Sequence, residues 1–239
     1  EHAPDGAWHE SAPDAGALLL LSSGTTGRPK LVQRTHRNLL RACHVSVAAS
    51  ALAQRGVAFL NWLPLDHNAG LMAALTLLVS GARQVHVATR DALEAQERCL
   101  HLLSRHRVTH VGATGYFLGL LNERLAGAAE GGWDLSRLER VTLTAEPVAA
   151  GVAREFLERA APFGLRPDVL SSSYGMSEAS GIARLTAFRP EDAAHSDGFL
   201  AVGTPLPGIS VRVVGEDGRV LPEGSEGPIQ GARRTVAPG

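Results

Sequence analysis

Residues 18–30 read Leu18-Leu19-Leu20-Leu21-Ser22-Ser23-Gly24-Thr25-Thr26-Gly27-Arg28-Pro29-Lys30. The leucines predict one buried strand and are far too few to span a membrane. The residues that follow are typical of a phosphate-binding loop. Glycines let backbone N–H groups turn toward an anion, the hydroxyls add donors, and the lysine supplies a compact positive charge. A flexible hairpin turn rich in Gly, Ser and Thr is the structural alternative.

Lys30 is the only lysine among 23 basic residues, and all the others are arginine. This bias favours a site at which an ammonium group serves better than a planar guanidinium. Arg28 and Pro29 separate the last glycine of the loop from the lysine. The segment therefore differs from the Walker pattern, in which Gly-Lys-Ser/Thr leads directly into a helix.

The bulk properties exclude several classes of protein. With 239 residues the chain forms either one large α/β domain or two smaller ones, and its net charge of −1 predicts no recruitment to nucleic acid or an anionic membrane. The chain has only two cysteines, Cys43 and Cys99, which argues against a disulfide framework and against a zinc site. No signal peptide, lipidation motif or spanning segment is visible, so a cytoplasmic location is expected.

Strand and helix patterns alternate along most of the chain, which predicts an α/β fold with a doubly wound, largely parallel sheet and helices on both faces. We expect a linker at 1–15, the α/β core at 16–198, and the start of a small β-barrel-like subdomain at 199–239. Thr35 is the expected N-cap of a helix from about His36 to Ala53. Asp91 and Glu94 resemble a capping box at the start of a later helix.

Several predicted strands end in polar or glycine-bearing loops, and open α/β sheets bind ligands at such ends. After the strand at 57–63, Asp66 and Asn68 are equally plausible as helix caps or site residues, whereas His67 fits a cap poorly and receives the functional interpretation. Tyr116 and Phe117 form either a pocket wall or part of the core. A His-Asp pair also occurs in hydrolases, but no G-x-S-x-G elbow supplies a nucleophile.

These loops, in this order, resemble those of the adenylate-forming (AMP-binding) superfamily. The S-S-G-T-T-G-R-P-K stretch resembles its phosphate-binding signature. Tyr174-Gly175-Met176-Ser177-Glu178 resembles its Y-G-x-T-E signature with Ser in place of Thr, and Gly203-Thr204-Pro205 through Gly227-Pro228 resembles the motifs that follow. Leu63-Pro64-Leu65-Asp66-His67 with Gly70, and Trp133-Asp134-Leu135-Ser136, are most similar to acyl-activating domains that load polyketide or hybrid peptide–polyketide assembly lines.

The resemblance implies ATP-dependent activation of a carboxylic acid to acyl-AMP, with Mg²⁺ and release of pyrophosphate. It further implies transfer of the acyl group to the phosphopantetheine thiol of an acyl carrier protein or CoA. Asn68 stands where amino-acid-activating relatives have an Asp that holds the substrate ammonium, which favours an acid without an α-amine. An amino-acid-activating domain of a peptide synthetase and a non-catalytic nucleotide-binding or scaffolding module remain alternatives.

The family's T-G-D ribose motif, hinge and C-terminal swinging domain do not occur in these 239 residues. We therefore expect an incomplete N-terminal domain that has little or no activity by itself.

The resemblance also assigns roles to individual residues. The implied catalytic residues are Lys30, His67, Ser177 and Glu178, and the implied Mg²⁺ ligands are Glu178 and Thr26. Nucleotide binding is implied for Ser22, Ser23, Gly24, Thr25, Thr26, Gly27, Lys30, Ala145, Glu146, Pro147, Ser173, Tyr174, Gly175, Met176 and Ser177. The implied acyl pocket comprises Asn68, Gly112, Thr114, Tyr116, Phe117 and Ser173.

Overall fold

The computed structural model describes residues 10–22, 30–127, 132–188 and 198–232. Its helices are α1 (His36–Ala49), α2 (Asn68–Ser80), α3 (Thr89–Glu94), α4 (Gln96–Arg105), α5 (Gly115–Ala126) and α6 (Ala150–Ala160). Its strands are β1 (Gly16–Ser22), β2 (Lys30–Thr35), β3 (Ala58–Asn61), β4 (Arg83–His86), β5 (His110–Ala113), β6 (Arg140–Leu143), β7 (Leu170–Tyr174), β8 (Ala183–Leu185), β9 (Thr204–Pro205), β10 (Ser210–Val213) and β11 (Ile229–Ala232). No helix within these ranges is long and apolar enough to cross a membrane.

The main sheet has the strand order β4-β3-β5-β6-β7-β8-β9. Its first five strands are parallel, and β8 and β9 are antiparallel to their neighbours. The strand that follows β3 in sequence, β4, lies on one side of it, whereas β5 and the later strands lie on the other side. Because crossovers between parallel strands are right-handed, this reversal of direction places the connecting helices on opposite faces of the sheet. Accordingly α1 packs on α2, whereas α5 packs on both α4 and α6. The predicted α/β class with a largely parallel, doubly wound sheet is confirmed.

The two faces of this sheet differ in chemistry. Residues paired across neighbouring strands point to the same side of a sheet. One face carries the apolar core, which contains Leu60, Val111, Ala113, Val141, Leu143 and Leu170. The ladder pairs Phe59–His110, His110–Arg140, Thr142–Ser171 and Ser173–Arg184 place His110, Arg140, Thr142, Ser171, Ser173 and Arg184 on the other face. The side chain of Asn61 donates to the carbonyl of Gly70, so this polar face lies under α2.

Local signals predicted the start of α1 better than that of α3. Thr35 caps α1, as its sequence predicted, and Asn38 completes a capping box that was not predicted; the helix ends at Ala49 instead of Ala53. The predicted capping box at Asp91 and Glu94 is wrong. The N-cap of α3 is Ala88, which makes no side-chain cap bond, and Ala95 separates α3 from α4.

The segment around the phosphate-loop motif is a β-hairpin in which β1 and β2 pair in antiparallel fashion. The sequence predicted β1 but not β2. Towards the end of the chain, β9 pairs with β8 in the main sheet, whereas β10 and β11 form a separate two-stranded sheet. The proposed start of a subdomain at about Phe199, and the other proposed boundaries, stay predictions.

Candidate functional site

A cleft of about 830 Å³ lies between the polar face of the sheet and helices α1 and α2. This size is typical of small-molecule sites. The cleft reaches the carboxyl ends of strands on both sides of the point between β3 and β5 at which the strand order changes direction, where open α/β sheets bind ligands. The residues that sequence analysis placed in a site and that line the cleft are Ser22, Lys30, His67, Asn68, Gly112, Ala145, Ser173, Tyr174, Gly175, Met176, Ser177 and Glu178. Residues from five separate parts of the chain therefore meet in one cavity.

Other predicted site residues are placed elsewhere. Ser23, Gly24, Thr25, Thr26 and Gly27 lie outside the described residues. The described residues Thr114, Tyr116, Phe117, Glu146 and Pro147 do not line the cleft.

Phe117 corrects the prediction of an aromatic pocket wall. Its side chain is only 2 % exposed and packs 4.3 Å from the ring of Trp62, between ring centroids. Tyr116, one position earlier, is 63 % exposed. Consecutive residues of a helix point in different directions, so the Phe117 ring is buried in the core whereas the Tyr116 ring is exposed to solvent.

Thr114 and Glu146 both satisfy backbone donors at the start of α5. The hydroxyl of Thr114 accepts a hydrogen bond from the Phe117 amide at 3.1 Å. The Glu146 carboxylate accepts from the Tyr116 amide at 2.7 Å. The first N–H groups of a helix have no partner within the helix and its N-terminus favours negative charge, so both residues have a structural role here.

His67 is the N-cap of α2, and the prediction that it would fit a cap poorly is wrong. Its Nδ1 accepts a hydrogen bond from the Ala69 amide at 3.2 Å. With Nδ1 accepting, a neutral imidazole carries its proton on Nε2. The same side chain lines the cleft, so capping fixes the orientation of a ring that borders the cavity.

Gly70 lets α2 start close to the end of β3. A Cβ atom at this position would lie 2.2 Å from the Pro64 carbonyl oxygen and 2.6 Å from that of Leu63. Both neighbours are backbone atoms, so neither can move aside as a flexible side chain would. Glycine at this position therefore lets the start of α2, which carries His67 and Asn68, lie close against the segment that follows β3.

A hydrogen-bond network centred on the buried Arg34 joins the hairpin, the start of α2 and the loop at 175–181. Arg34 donates from Nη1 to the Ser177 carbonyl at 3.0 Å and to the Ser180 hydroxyl at 3.2 Å. That hydroxyl donates to Asn68 Oδ1 at 3.2 Å, and Asn68 Nδ2 donates to the Met176 carbonyl at 3.3 Å. Through these contacts Arg34 positions the segment that carries Ser177 and Glu178.

Sequence analysis missed Arg34, although a signal for it exists. Period-two alternation along β2 places Arg34 on the same side as Val32, and both residues are buried. An arginine on the buried side of a short strand indicates a polar network, because a charge is rarely buried without hydrogen-bond partners.

The loop at 175–181 is compact. Met176 and Ala179 exchange two backbone hydrogen bonds, of 3.2 and 3.1 Å, and the Ile182 amide donates to the Tyr174 carbonyl at 2.7 Å. A Cβ atom on Gly175 would lie 2.7 Å from the Gly181 amide nitrogen. The glycine permits this approach and so helps present Ser177 and Glu178 to the cleft.

The groups on the cleft wall are suited to anions and to a hard cation. Ser22 Oγ is buried and has no hydrogen-bond partner among the described residues. It lines the cleft together with Lys30, the ammonium group of the hairpin. In the part of the chain that the structure describes, no three His, Cys, Asp or Glu residues are grouped to hold a metal. Glu178 adds a carboxylate to the lining, a group of the type that binds Mg²⁺ together with phosphate oxygens.

A family model described as "AMP-binding enzyme" covers residues 3–239 of the chain.

The chain belongs to the AMP-binding enzyme family.

Two curated relatives and one solved structure place it more closely within this family. An atromentin synthetase of Paxillus involutus is 32 % identical over 93 % of the chain, and a nonribosomal peptide synthetase of Aspergillus terreus is 34 % identical over 90 %. The chain spans 24 % of the length of each. The adenylation domain of a keto acid-selecting peptide synthetase module, bound to keto acyl adenylate, superposes with a TM-score of 0.90 at 30 % identity. That comparison covers 98 % of this AMP-binding chain and 48 % of the solved one.

These similarities confirm the adenylate-forming resemblance that was based on the loop motifs. They also confirm that the fold corresponds to part of an adenylation domain, with the sheet and its flanking helices preserved. The role of each site residue stays a prediction.

Proposed function

We propose that this chain forms the nucleotide- and acid-binding part of an enzyme that activates a carboxylic acid as acyl-AMP, releasing pyrophosphate from ATP. The observation that carries the proposal is the single cleft in which Lys30 of the hairpin, His67 of α2 and Glu178 of the 175–181 loop meet. Membership of the AMP-binding enzyme family supports this reaction class.

The chemistry requires positioning more than proton transfer. A carboxylic acid with a pKa of about 4 is ionised at neutral pH, so its attack on the α-phosphorus needs no general base. The protein must hold nucleophile and leaving group in line and stabilise the negative charge that develops on pyrophosphate. Lys30 and the hydroxyl of Ser22 perform the second task, while Ser177 contacts the α-phosphate.

Four other residues complete the proposed site. Tyr174 and Ala145 line the adenine side of the cleft, and His67 lies beside the reacting carboxylate. Glu178 binds Mg²⁺, which, when bound, neutralises phosphate charge and orients the phosphates.

The acid most consistent with the cleft lacks an α-amine. Asn68 occupies the position at which a carboxylate would pair with a substrate ammonium, and its amide already bonds to Met176 and Ser180. The adenylation domain of a keto acid-selecting module is among the most similar solved structures, which supports a substrate without an α-amine. The acyl group would then pass to the phosphopantetheine thiol of a carrier protein or CoA.

Replacing Lys30 with alanine in the full-length protein tests the proposal. We expect acid-dependent exchange of pyrophosphate into ATP to fall about 100- to 1,000-fold, because one preorganised charge on the leaving group is lost. Lys30→Arg should restore only part of the rate, since a planar guanidinium replaces a compact ammonium. Arg154→Ala, at an exposed position on α6, is the control and should leave the rate unchanged.

The substrates for this assay should include keto acids, fatty acids, aryl acids and amino acids. Exchange that depends on an amino acid would favour the amino-acid-activating alternative. Nucleotide binding without exchange for any acid would favour the non-catalytic alternative. An unchanged rate in Lys30→Ala would contradict the role of the ammonium group.

A further inference from the structure

The inner part of the cleft contains an arginine that no step of the proposed reaction uses. Arg184 on β8 is the cross-strand partner of Ser173 on β7, so both side chains point to the cleft side of the sheet. Both residues line the cavity. Arg184 Nη1 donates to the hydroxyl of Ser50, the C-cap residue of α1, which fixes the guanidinium beneath that helix.

Among the described residues, no carboxylate forms an ion pair with the two arginines of this region. Among residues 10–22, 30–127, 132–188 and 198–232, neither Arg184 nor Arg140 has a carboxylate oxygen within 4.0 Å. Within the same residues, Arg184 Nε and Arg140 Nη1 are buried without hydrogen-bond partners. Burial, and then the charge of Arg140, lowers the pKa of Arg184 to about 10, so its guanidinium is charged at neutral pH.

An unbalanced cation in a largely buried position carries a desolvation cost. An anion entering from the cleft would offset that cost and would meet donors that are already in place. A guanidinium has five N–H donors in a fixed planar arrangement that suits a carboxylate, and the Ser50 hydroxyl uses only one side of it.

The lining of the cleft suits a carbon chain with a polar end. Leu52, Phe59 and Leu77 provide apolar surface on the wall. Polar groups on the same wall come from Ser50 and Thr76. The cleft thus combines apolar side chains with a cationic group near the start of β5, where Arg184 acts on the pKa of His110, whereas His67 and Glu178 follow the carboxyl ends of β3 and β7.

We propose that Arg184 binds a second carboxylate at the far end of the acyl substrate, so that the acid activated by this enzyme is a dicarboxylic acid. One carboxylate reacts with ATP and the other remains ionised against Arg184. This inference rests on the proposed function, because it assigns a substrate class to the same cleft.

The test compares acids that differ only at the far end. Pyrophosphate exchange is measured with the full-length protein for straight-chain dicarboxylic acids from succinate to sebacate, each paired with the monocarboxylic acid of equal length. The wild-type protein should favour one or more dicarboxylic acids. Arg184→Met should reduce the ratio of kcat/KM values, dicarboxylic over monocarboxylic, by at least about 30-fold, as expected when one partner of a largely buried charge pair is removed.

Two further variants sharpen this measurement. Arg184→Lys keeps the charge but loses the planar donors, so the ratio should lie between those of the wild type and Arg184→Met. Arg166→Met removes an exposed arginine that pairs with Asp168 and should not change the ratio. The ratio compares two substrates on one protein sample, so partial loss of folded protein cancels from it.

A binding measurement separates this inference from the proposed function. The preferred dicarboxylate should raise the Tm of the wild-type protein in the absence of ATP, and should raise that of Arg184→Met much less. Equal use of both acids by the wild type, or an equal ratio in Arg184→Met, would overturn the inference and leave acid activation standing. Absence of exchange with every acid would refute the proposed function, whereas an Arg184-dependent Tm shift would still support the anion site.

Discussion

The two faces of the main sheet use the same strands for different purposes. On one face, Leu60, Val111 and Val141 pack into the largest apolar cluster of the described residues, beneath α4, α5 and α6. On the other face the same strands present Phe59, His110 and Thr142 to the cleft side, beneath α1 and α2. Parallel strands that are covered on both faces are usually apolar throughout. Alternating polarity in such strands therefore indicates that one covered face adjoins a binding site.

The comparison also indicates where stability and specificity are located. The apolar face contributes through burial, which is non-directional and proportional to the area removed from water. The cleft that the polar face borders depends on directional hydrogen bonds such as those of Arg34 in the hairpin and Asn68 in α2, and these bonds fix where groups point. Substitutions on the first face should alter the free energy of unfolding most, and substitutions on the second should alter substrate use.

The largest expected effect on stability comes from Phe117→Ala on the apolar side. Truncating a fully buried phenylalanine removes its packing on Trp62 and leaves a cavity, so the free energy of unfolding should fall by about 3–5 kcal/mol. Chemical denaturation of the full-length protein, followed by tryptophan fluorescence, measures this change.

Tyr116→Ala is the matched control, since it removes the adjacent aromatic ring from the solvent-facing side of the same helix. It should change the free energy of unfolding by no more than about 0.5 kcal/mol. If the two substitutions had equal effects, α5 would not bury the side chain that the structure assigns to the core.

In the hairpin that borders the cleft, Arg34→Met should destabilise less but should also disturb the site. Loss of the hydrogen bonds from a charged donor to the Ser177 carbonyl and the Ser180 hydroxyl should cost about 1.5–3 kcal/mol. Pyrophosphate exchange should fall as well, because the loop that carries Glu178 loses its support.

Arg37→Met provides the contrast for Arg34. Arg37 forms an exposed ion pair with Asp14 at 2.7 Å, and such pairs contribute at most about 1 kcal/mol. If Arg34→Met behaved like Arg37→Met in both stability and exchange, the network would have no positioning role.

Sequence analysis predicted much of the fold because its signals are local. Thr35 and Asn38 form a capping box within one turn, and the glycines and hydroxyls of a strand-end loop are adjacent in the chain. Features that depend on contacts distant in sequence escaped prediction. Arg34 acquires its role from Ser177 and Ser180, whose positions no local pattern specifies.

The aromatic residues after β5 illustrate the same limit. The pattern Ala113-Thr114-Gly115-Tyr116-Phe117 indicates a strand end followed by a helix, but the rotation of that helix against the sheet decides which ring is buried. Packing against Trp62 fixes this rotation, and the contact spans fifty-five residues, counted from 62 to 117. His67 shows the reverse case, in which a residue chosen for function proved also to be a helix cap.

The smallest expected effect concerns pH and His110, which lies on the polar face. Burial, and then the charge of Arg140, lowers the pKa of this imidazole, and Arg184 acts in the same direction. Glu139 and a hydrogen bond with the Ser50 backbone oppose the shift in part. In the unfolded chain the imidazole gains a proton as the pH falls through about 6.5, whereas in the folded chain it stays neutral to lower pH.

Unfolding below this pH is therefore coupled to proton uptake at His110. The free energy of unfolding should decrease with falling pH by at most about 1.4 kcal/mol per pH unit from this one group. His110→Asn should show a shallower decrease between pH 7 and 5.5 than the wild type. Denaturation curves across this pH range measure both slopes, and identical slopes for the wild type and His110→Asn would show that the imidazole is free to charge inside the fold. Water would then reach the polar face more readily than the burial of His110 implies, and the two faces of the sheet would differ less in their exposure to water.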